Sequence, residues 1–161
     1  MKIIATMHPI DQHRGTVRAE DSYDTDIDDL WEACTNPARL ARWIADVSGD
    51  LRVGGTFHAT FTSSAEGPGR IEACERPHHL LVTMLPGTDD ETQIEAWLTT
   101  DGDKTHLTVE DRGIPLAEIR LHGAGWQAHL EDLGRSLAGQ PSSWRQRWDE
   151  LTPAYATLPI G

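Results

Sequence analysis

The stretch "ETQIEAWLTTDGDKTHLTVEDRGIPLAEIRLHGAGWQAHLEDLGRSLAG", residues 91–139, changes its period halfway and so decides the fold. In its first part Ile94, Ala96 and Leu98 alternate with their neighbours, as Leu107 and Val109 do further on. That is the pattern of strands with one apolar face. Asp101-Gly102 between them is a strong hairpin signal. From about Pro115 to Ala138 the spacing turns helical, with Ile119, Trp126, Leu130, Leu133 and Leu137 on one stripe. Gly139 can end this helix, and Pro141 cannot continue it.

Upstream, "GTVRAEDSY" (Gly15–Tyr23) reads as a first strand. Thr25 or Asp26 can cap a helix in which Ile27, Leu30, Trp31 and Cys34 share a face. Asn36-Pro37 breaks the chain, and Pro37 can start a second short helix carrying Leu40, Trp43 and Ile44. "DLRVGGTFHATFT" reads as two extended pieces around a Gly-Gly turn, with Phe57, Ala59 and Phe61 on one side. "GPGRIEACE" is the next strand, with Gly67-Pro68-Gly69 as its leading turn. "HLLVTML" follows, with Leu80, Val82 and Met84 alternating. One long amphipathic helix is the only large element that can cover the apolar face of so much sheet. The expected architecture is α+β: a curved antiparallel sheet gripping a long C-terminal helix, two short helices closing one end, and a cavity between sheet and helix. Residues 1–14 read as an N-terminal extension or extra strand. Residues 15–139 form the single domain, and residues 140–161 are a tail that packs back on it through Trp144, Trp148, Leu151 and Tyr155.

The chain has 161 residues and a formal charge of −12. That charge argues against nucleic acid and anionic membrane as partners, because both are bound through clustered Lys and Arg. No apolar run reaches the roughly 18 residues of a membrane helix. The start, "MKIIATMHPIDQHRG", has no long apolar region of a secretory signal. Cys34 and Cys74 lack metal-ligand spacing and read as small hydrophobes in a reducing compartment, so a cytoplasmic location is expected. The preference for Arg over Lys suggests a GC-rich bacterial genome. The acidic run from Glu20 to Glu32 has no calcium-loop pattern and reads as a solvated surface. His78-His79 after Pro77 reads as a solvated turn.

No nucleophile elbow, zinc signature, P-loop or dinucleotide fingerprint is present, so neither a catalytic residue, a metal nor a cofactor is assigned. His122 and His129 lie four before and three after Trp126, on one side of the helix. Two turns apart, roughly 10 Å, they cannot chelate one ion. They line the cavity or sit at the margin of the buried stripe. Trp126 is the strongest cavity residue, and Trp43, Phe57, Phe61 and Met84 are expected to converge on it. The competing reading for each is core packing. Glu95 and Trp97 alternate outward, and the pattern places neither Glu95 nor Glu110 in the cavity as a general base.

Together, "LWEACTNPARLARWI", "DLRVGGTFHATF", "GRIEACERPHHLLVTM", "DGDKTHLTVEDRG" and "GWQAHLEDLGRSLAG" carry a resemblance to the activator of heat-shock-protein-90 ATPase homologue-like family. That family lies within the START-like helix-grip (SRPBCC) superfamily. The segments occur in family order from about Gly15 to Gly139. Met84 stands where the family usually has a tryptophan. The resemblance implies the helix-grip fold and, from the range of the superfamily, three functional readings. The first is binding of a small hydrophobic ligand in the cavity, non-catalytic or weakly catalytic. The second is a co-chaperone-like module with a chaperone or other protein partner. The third is a polyketide cyclase- or hydrolase-type enzyme using a cavity histidine. Trp97 and the Trp-bearing tail make a homodimer a further expectation.

Overall fold

The computed structural model describes residues 1–161. Its strands are β1 (Ala5–Pro9), β2 (Arg14–Tyr23), β3 (Ala45–Gly49), β4 (Thr56–Phe61), β5 (Glu66–Glu75), β6 (His79–Met84), β7 (Thr92–Asp101) and β8 (Lys104–Pro115). Its helices are α1 (Ile27–Thr35), α2 (Pro37–Leu40), α3 (Ile119–Leu137) and α4 (Trp144–Tyr155). All eight strands form one antiparallel sheet in the order β1-β2-β8-β7-β6-β5-β4-β3. This is the expected α+β helix grip, with residues 5–9 adding an edge strand. No helix is long and apolar enough to cross a membrane.

The local signals act as expected at most turns and caps. Asp26 caps α1 by accepting from the Asp29 amide at 2.8 Å. Asn36 caps α2 by accepting from the Ala38 amide at 2.9 Å, with Pro37 in the first turn. The β7–β8 hairpin turns at Gly102, whose φ of 60° suits glycine. The Gly67-Pro68-Gly69 reading needs correction, because these residues lie inside β5. The turn is instead at residues 62–65, where Phe61 donates to the Ala65 carbonyl at 2.8 Å. The glycines serve packing. A Cβ on Gly69 would stand 2.4 Å from Phe57 Cζ and 2.9 Å from Met84 Sδ. The extended piece before the Gly-Gly turn is also shifted, to β3 at Ala45–Gly49.

α3 begins at Ile119, later than the spacing suggests, because β8 runs on to Pro115. Its stripe is buried: Ile119, Leu130 and Leu133 have no exposure, and Trp126 has 7%. Its packing on the sheet is concentrated on β1, β2 and β8. α1 meets β7 and β8, and α2 meets β3. Much of the inner face of β4–β7 therefore has no long helix lying directly on it.

The tail forms α4 and docks on α3. Buried Asp132 receives the Ser143 amide at 2.8 Å and the Ser142 hydroxyl, anchoring the start of α4. Trp144 Nε1 donates to the Gly125 carbonyl at 3.0 Å, and Trp148 Nε1 to the Leu121 carbonyl at 3.1 Å. The Tyr155 hydroxyl donates to Gln127 at 2.5 Å and accepts from the Ala5 amide at 3.2 Å. Gly123 and Gly125 thus serve this docking: a Cβ on Gly125 would meet Trp144 at 3.5 Å, and one on Gly123 would meet Tyr155 at 3.0 Å. Replacing fully buried Tyr155 by Ala is expected to destabilise the protein by about 3–5 kcal/mol in urea unfolding. A loss under about 1 kcal/mol would contradict a tightly docked α4.

Candidate functional site

The gap between the uncovered part of the sheet and α3 is hollow. It consists of two chambers that share Phe61, Met84, Ile94 and Trp126 in their walls. The inner chamber, about 160 Å³, is walled by Trp43, Phe57, Ile71, Val82 and Ala96 among others. Thr35 is the one hydrophilic side chain among its lining residues. The outer chamber, about 460 Å³, is walled by His122 and His129 of α3, Asp111 of β8, and Trp144 and Trp148 of α4. Its exposed edge carries Glu66, Asp90 and Glu118.

All seven residues expected at a cavity therefore line one, though not a single undivided space. Trp43 and Phe57 belong to the inner chamber, His122 and His129 to the outer one, and Phe61, Met84 and Trp126 to both. Glu95 and Trp97 face outward, as their alternation indicates. Glu95 bonds His79 at 2.5 Å and Arg112 at 2.7 Å on the outer face of the sheet. His79 is not a free turn residue. It sits in β6 and bridges Glu95 and Glu75, the latter at 2.6 Å. The tryptophans that suggested a dimer are engaged within the chain: Trp144 is buried, and the Trp97 ring lies 6.0 Å from that of His79.

In the outer chamber Asp111 was not singled out from the sequence, and Trp144 and Trp148 were expected to pack on the domain but not to wall its cavity. Asp111 continues the inward alternation of Leu107 and Val109, so its placement was readable from the period-two pattern. The tryptophans arrive on a separate element, whose docking no local pattern specifies.

Asp111 is the chemically distinctive group. It is 7% exposed, and its Oδ2 accepts from Trp126 Nε1 at 2.9 Å. Its Oδ1 is buried without a partner. Burial pushes the carboxyl up to about 7, against the opposing pulls of the Trp126 hydrogen bond and Arg112. His129 is 6% exposed, and its Nδ1 also has no partner. Burial lowers it to about 4, with a backbone hydrogen bond at Trp43 acting the other way. At neutral pH its imidazole is uncharged. His122, about half exposed, is lowered by burial, while Glu118 at 3.8 Å opposes.

An aromatic row runs along one wall. His129 lies edge-on to Trp126 at 5.7 Å and tilted to Trp144 at 5.2 Å, and Trp144 stacks on Trp148 at 5.6 Å. The Arg145 guanidinium lies over the Trp144 ring at 5.4 Å. Cys34, on the inner wall, is no nucleophile: burial pushes its thiol up to about 12. No three His, Cys, Asp or Glu residues gather as metal ligands. The chambers can thus hold an apolar body against aromatic walls, with one buried carboxyl and one buried neutral imidazole available to it and further carboxylates at the exposed edge.

The family model described as Activator of Hsp90 ATPase homolog 1-like protein matches residues 24–138. No curated protein matches the chain. Among solved structures, CalU16 from Micromonospora echinospora is similar at 28% identity and a TM-score of 0.76, over 98% of this chain and 96% of that one. DynU16, from the dynemicin biosynthetic locus, is similar at 30% identity and a TM-score of 0.72. That match covers 79% of this chain and 49% of DynU16, so the chain spans about half of DynU16. MLL2253 from Mesorhizobium loti, at 24% identity and a TM-score of 0.67 over 76% of this chain and 96% of that one, shares the fold.

The buried pair makes stability depend on pH in opposite directions. Asp111 holds its proton more tightly folded than unfolded. Its contribution is complete below about pH 4 and is lost as pH rises through about 7. His129 holds its proton less tightly when folded, so its contribution is complete above about pH 6.5 and is lost as pH falls through about 4. For Asp111→Asn, the melting temperature relative to wild type should climb steadily from about pH 4 to 7 and then level off. A difference independent of pH would show that Asp111 titrates normally.

Proposed function

This chain belongs to the Activator of Hsp90 ATPase homolog 1-like family, and on that premise we propose that its sheet–helix cavity binds a small, largely apolar organic ligand. The observation that carries the reading is the pair of adjoining chambers, one apolar almost throughout and the other with an aromatic wall on one side and polar and charged residues on the rest of its lining. The outer volume of about 460 Å³ falls within the roughly 300–1,000 Å³ of small-molecule sites. A few polar groups in an otherwise apolar wall are what such sites use to orient a ligand.

Other features support the same reading. Gly67 and Gly69 place no side chain on the inner face of β5, where a Cβ would press on Leu85, Phe57 and Met84. That spacing keeps Phe57 and Met84 as chamber walls. The similar DynU16 comes from a biosynthetic locus, which favours a small organic molecule over a macromolecule as the occupant. The formal charge of −12 favours a neutral or cationic ligand over an anionic one.

Titration with the neutral apolar fluorophore N-phenylnaphthylamine, followed by tryptophan quenching, is expected to saturate with Kd on the order of micromolar. Ala96→Phe adds a ring to the inner chamber and should weaken binding about tenfold or more while the far-ultraviolet circular dichroism is unchanged. Absence of saturable binding, or an affinity indifferent to Ala96→Phe, would contradict the reading.

A further inference from the structure

Asp111 and His129 sit on the wall of the same outer chamber, and each keeps one buried polar atom that nothing in the protein satisfies. Such atoms are rare, because a buried polar group left unpaired loses its hydration without gaining a partner. Two of them on residues that line one chamber, both against Trp126, form a built feature. Resting on the cavity reading above, we propose that this corner recognises a neutral ligand carrying both a carbonyl and a hydroxyl group. The carbonyl oxygen accepts from Asp111 Oδ1, and the hydroxyl donates to His129 Nδ1.

The donor and acceptor roles follow from the neighbours. Trp126 Nε1 donates to Asp111 Oδ2 at 2.9 Å, so Oδ2 is the accepting oxygen and the acid proton belongs on Oδ1. With its pKa raised to about 7 by burial, the carboxyl retains that proton through the acid half of the physiological range. On His129 the orphaned Nδ1 is the ring nitrogen left to a ligand, and we place the imidazole proton on Nε2. Nδ1 is then a lone-pair acceptor. The corner thus offers one donor and one acceptor, with no net charge.

A carboxylate ligand fits poorly. Arg14, the chamber's one arginine, already donates to the Gly113 carbonyl at 3.0 Å and the Asp89 carbonyl at 2.7 Å. The chamber's other ionisable groups are Glu66, Asp90, Glu118 and His122, mostly acidic and exposed at its edge. Arg112, next to Asp111 in β8, is spent on Glu95 and Glu110 on the opposite face of the sheet. Beside the corner the aromatic row from Trp126 to Trp148 supplies a surface for a ring system. The ligand class is therefore a flat or fused-ring neutral molecule with ketone and alcohol groups.

The test is calorimetric titration at about pH 6 with tetralin, tetralone, a tetralone bearing an alcohol on its saturated ring, and tetralin carboxylate. The hydroxylated tetralone should bind about tenfold tighter than tetralin, and the carboxylate should bind weakest. In His129→Phe the alcohol's share should vanish, leaving the hydroxylated tetralone no tighter than tetralone. The carbonyl's share, read as tetralone against tetralin, should fall about threefold or more between about pH 6 and 8.5 as Asp111 ionises. In Asp111→Asn, which keeps a donor, that share should stay flat with pH. Single cooperative melting transitions and unchanged far-ultraviolet circular dichroism establish that both variants fold. A wild type that binds tetralin as tightly as the hydroxylated tetralone, or prefers the carboxylate, overturns the polar corner and leaves the cavity reading standing. Failure of every compound to bind overturns both.

Discussion

The sheet is larger than the one long helix that covers it. Eight strands present a single inner face, and α3, 19 residues long, lies chiefly over β1, β2 and β8. The remaining inner face, from β4 to β7, must be closed by what is left: two short helices at one end and α4 at the other. Short elements close the ends of a gap without filling its middle. The two chambers are what remains of that mismatch, and their walls are the same apolar residues that would otherwise have met in a core. Phe61, Met84, Ile94 and Trp126 belong to the walls of both chambers.

Much of this was legible before any coordinates. The switch from alternation to helical spacing between Val109 and Ile119 determines both the hairpin and the gripped helix, because each pattern extends over several turns or pleats. The seven aromatic, histidine and methionine positions expected at the cavity line its walls. Single-residue signals fared worse. Gly67 and Gly69 look like a turn, but they are strand residues whose missing side chains make room for Phe57, Met84 and Leu85. Gly125, inside the helical stripe, admits the tryptophans of α4. Glycine marks close approach or positive φ, and only the tertiary neighbour tells which. Asp111 was overlooked for a different reason. Its parity places it inward, but a carboxyl ending an apolar alternation reads as the strand's edge unless its partner, Trp126, is known.

The outer face of the sheet shows what became of the remaining charge. Arg18, Glu110, Arg112, Glu95, His79 and Glu75 form a cross-strand ladder over β2, β8, β7, β6 and β5. Its members are partly exposed, so each pair contributes little to stability. Its structural consequence is to keep the outward carboxylates paired and solvated. Asp111 is set apart by lying on the other face, where it is largely buried and one hydrogen bond does not offset the burial. Retaining such a group lowers stability near neutral pH, and a stored cost of this kind is expected where a bound molecule supplies the missing partner.

The account stands on the inner chamber being hollow rather than occupied by its own side chains. Xenon enters dry apolar cavities of about this size and scatters strongly enough to be located. A crystal pressurised with xenon is predicted to show the gas in the inner chamber, bounded by Phe57, Ile71, Val82, Ala96 and Trp126. A crystal without xenon there, with the Trp43 and Phe57 side chains turned in to fill the space, would contradict it.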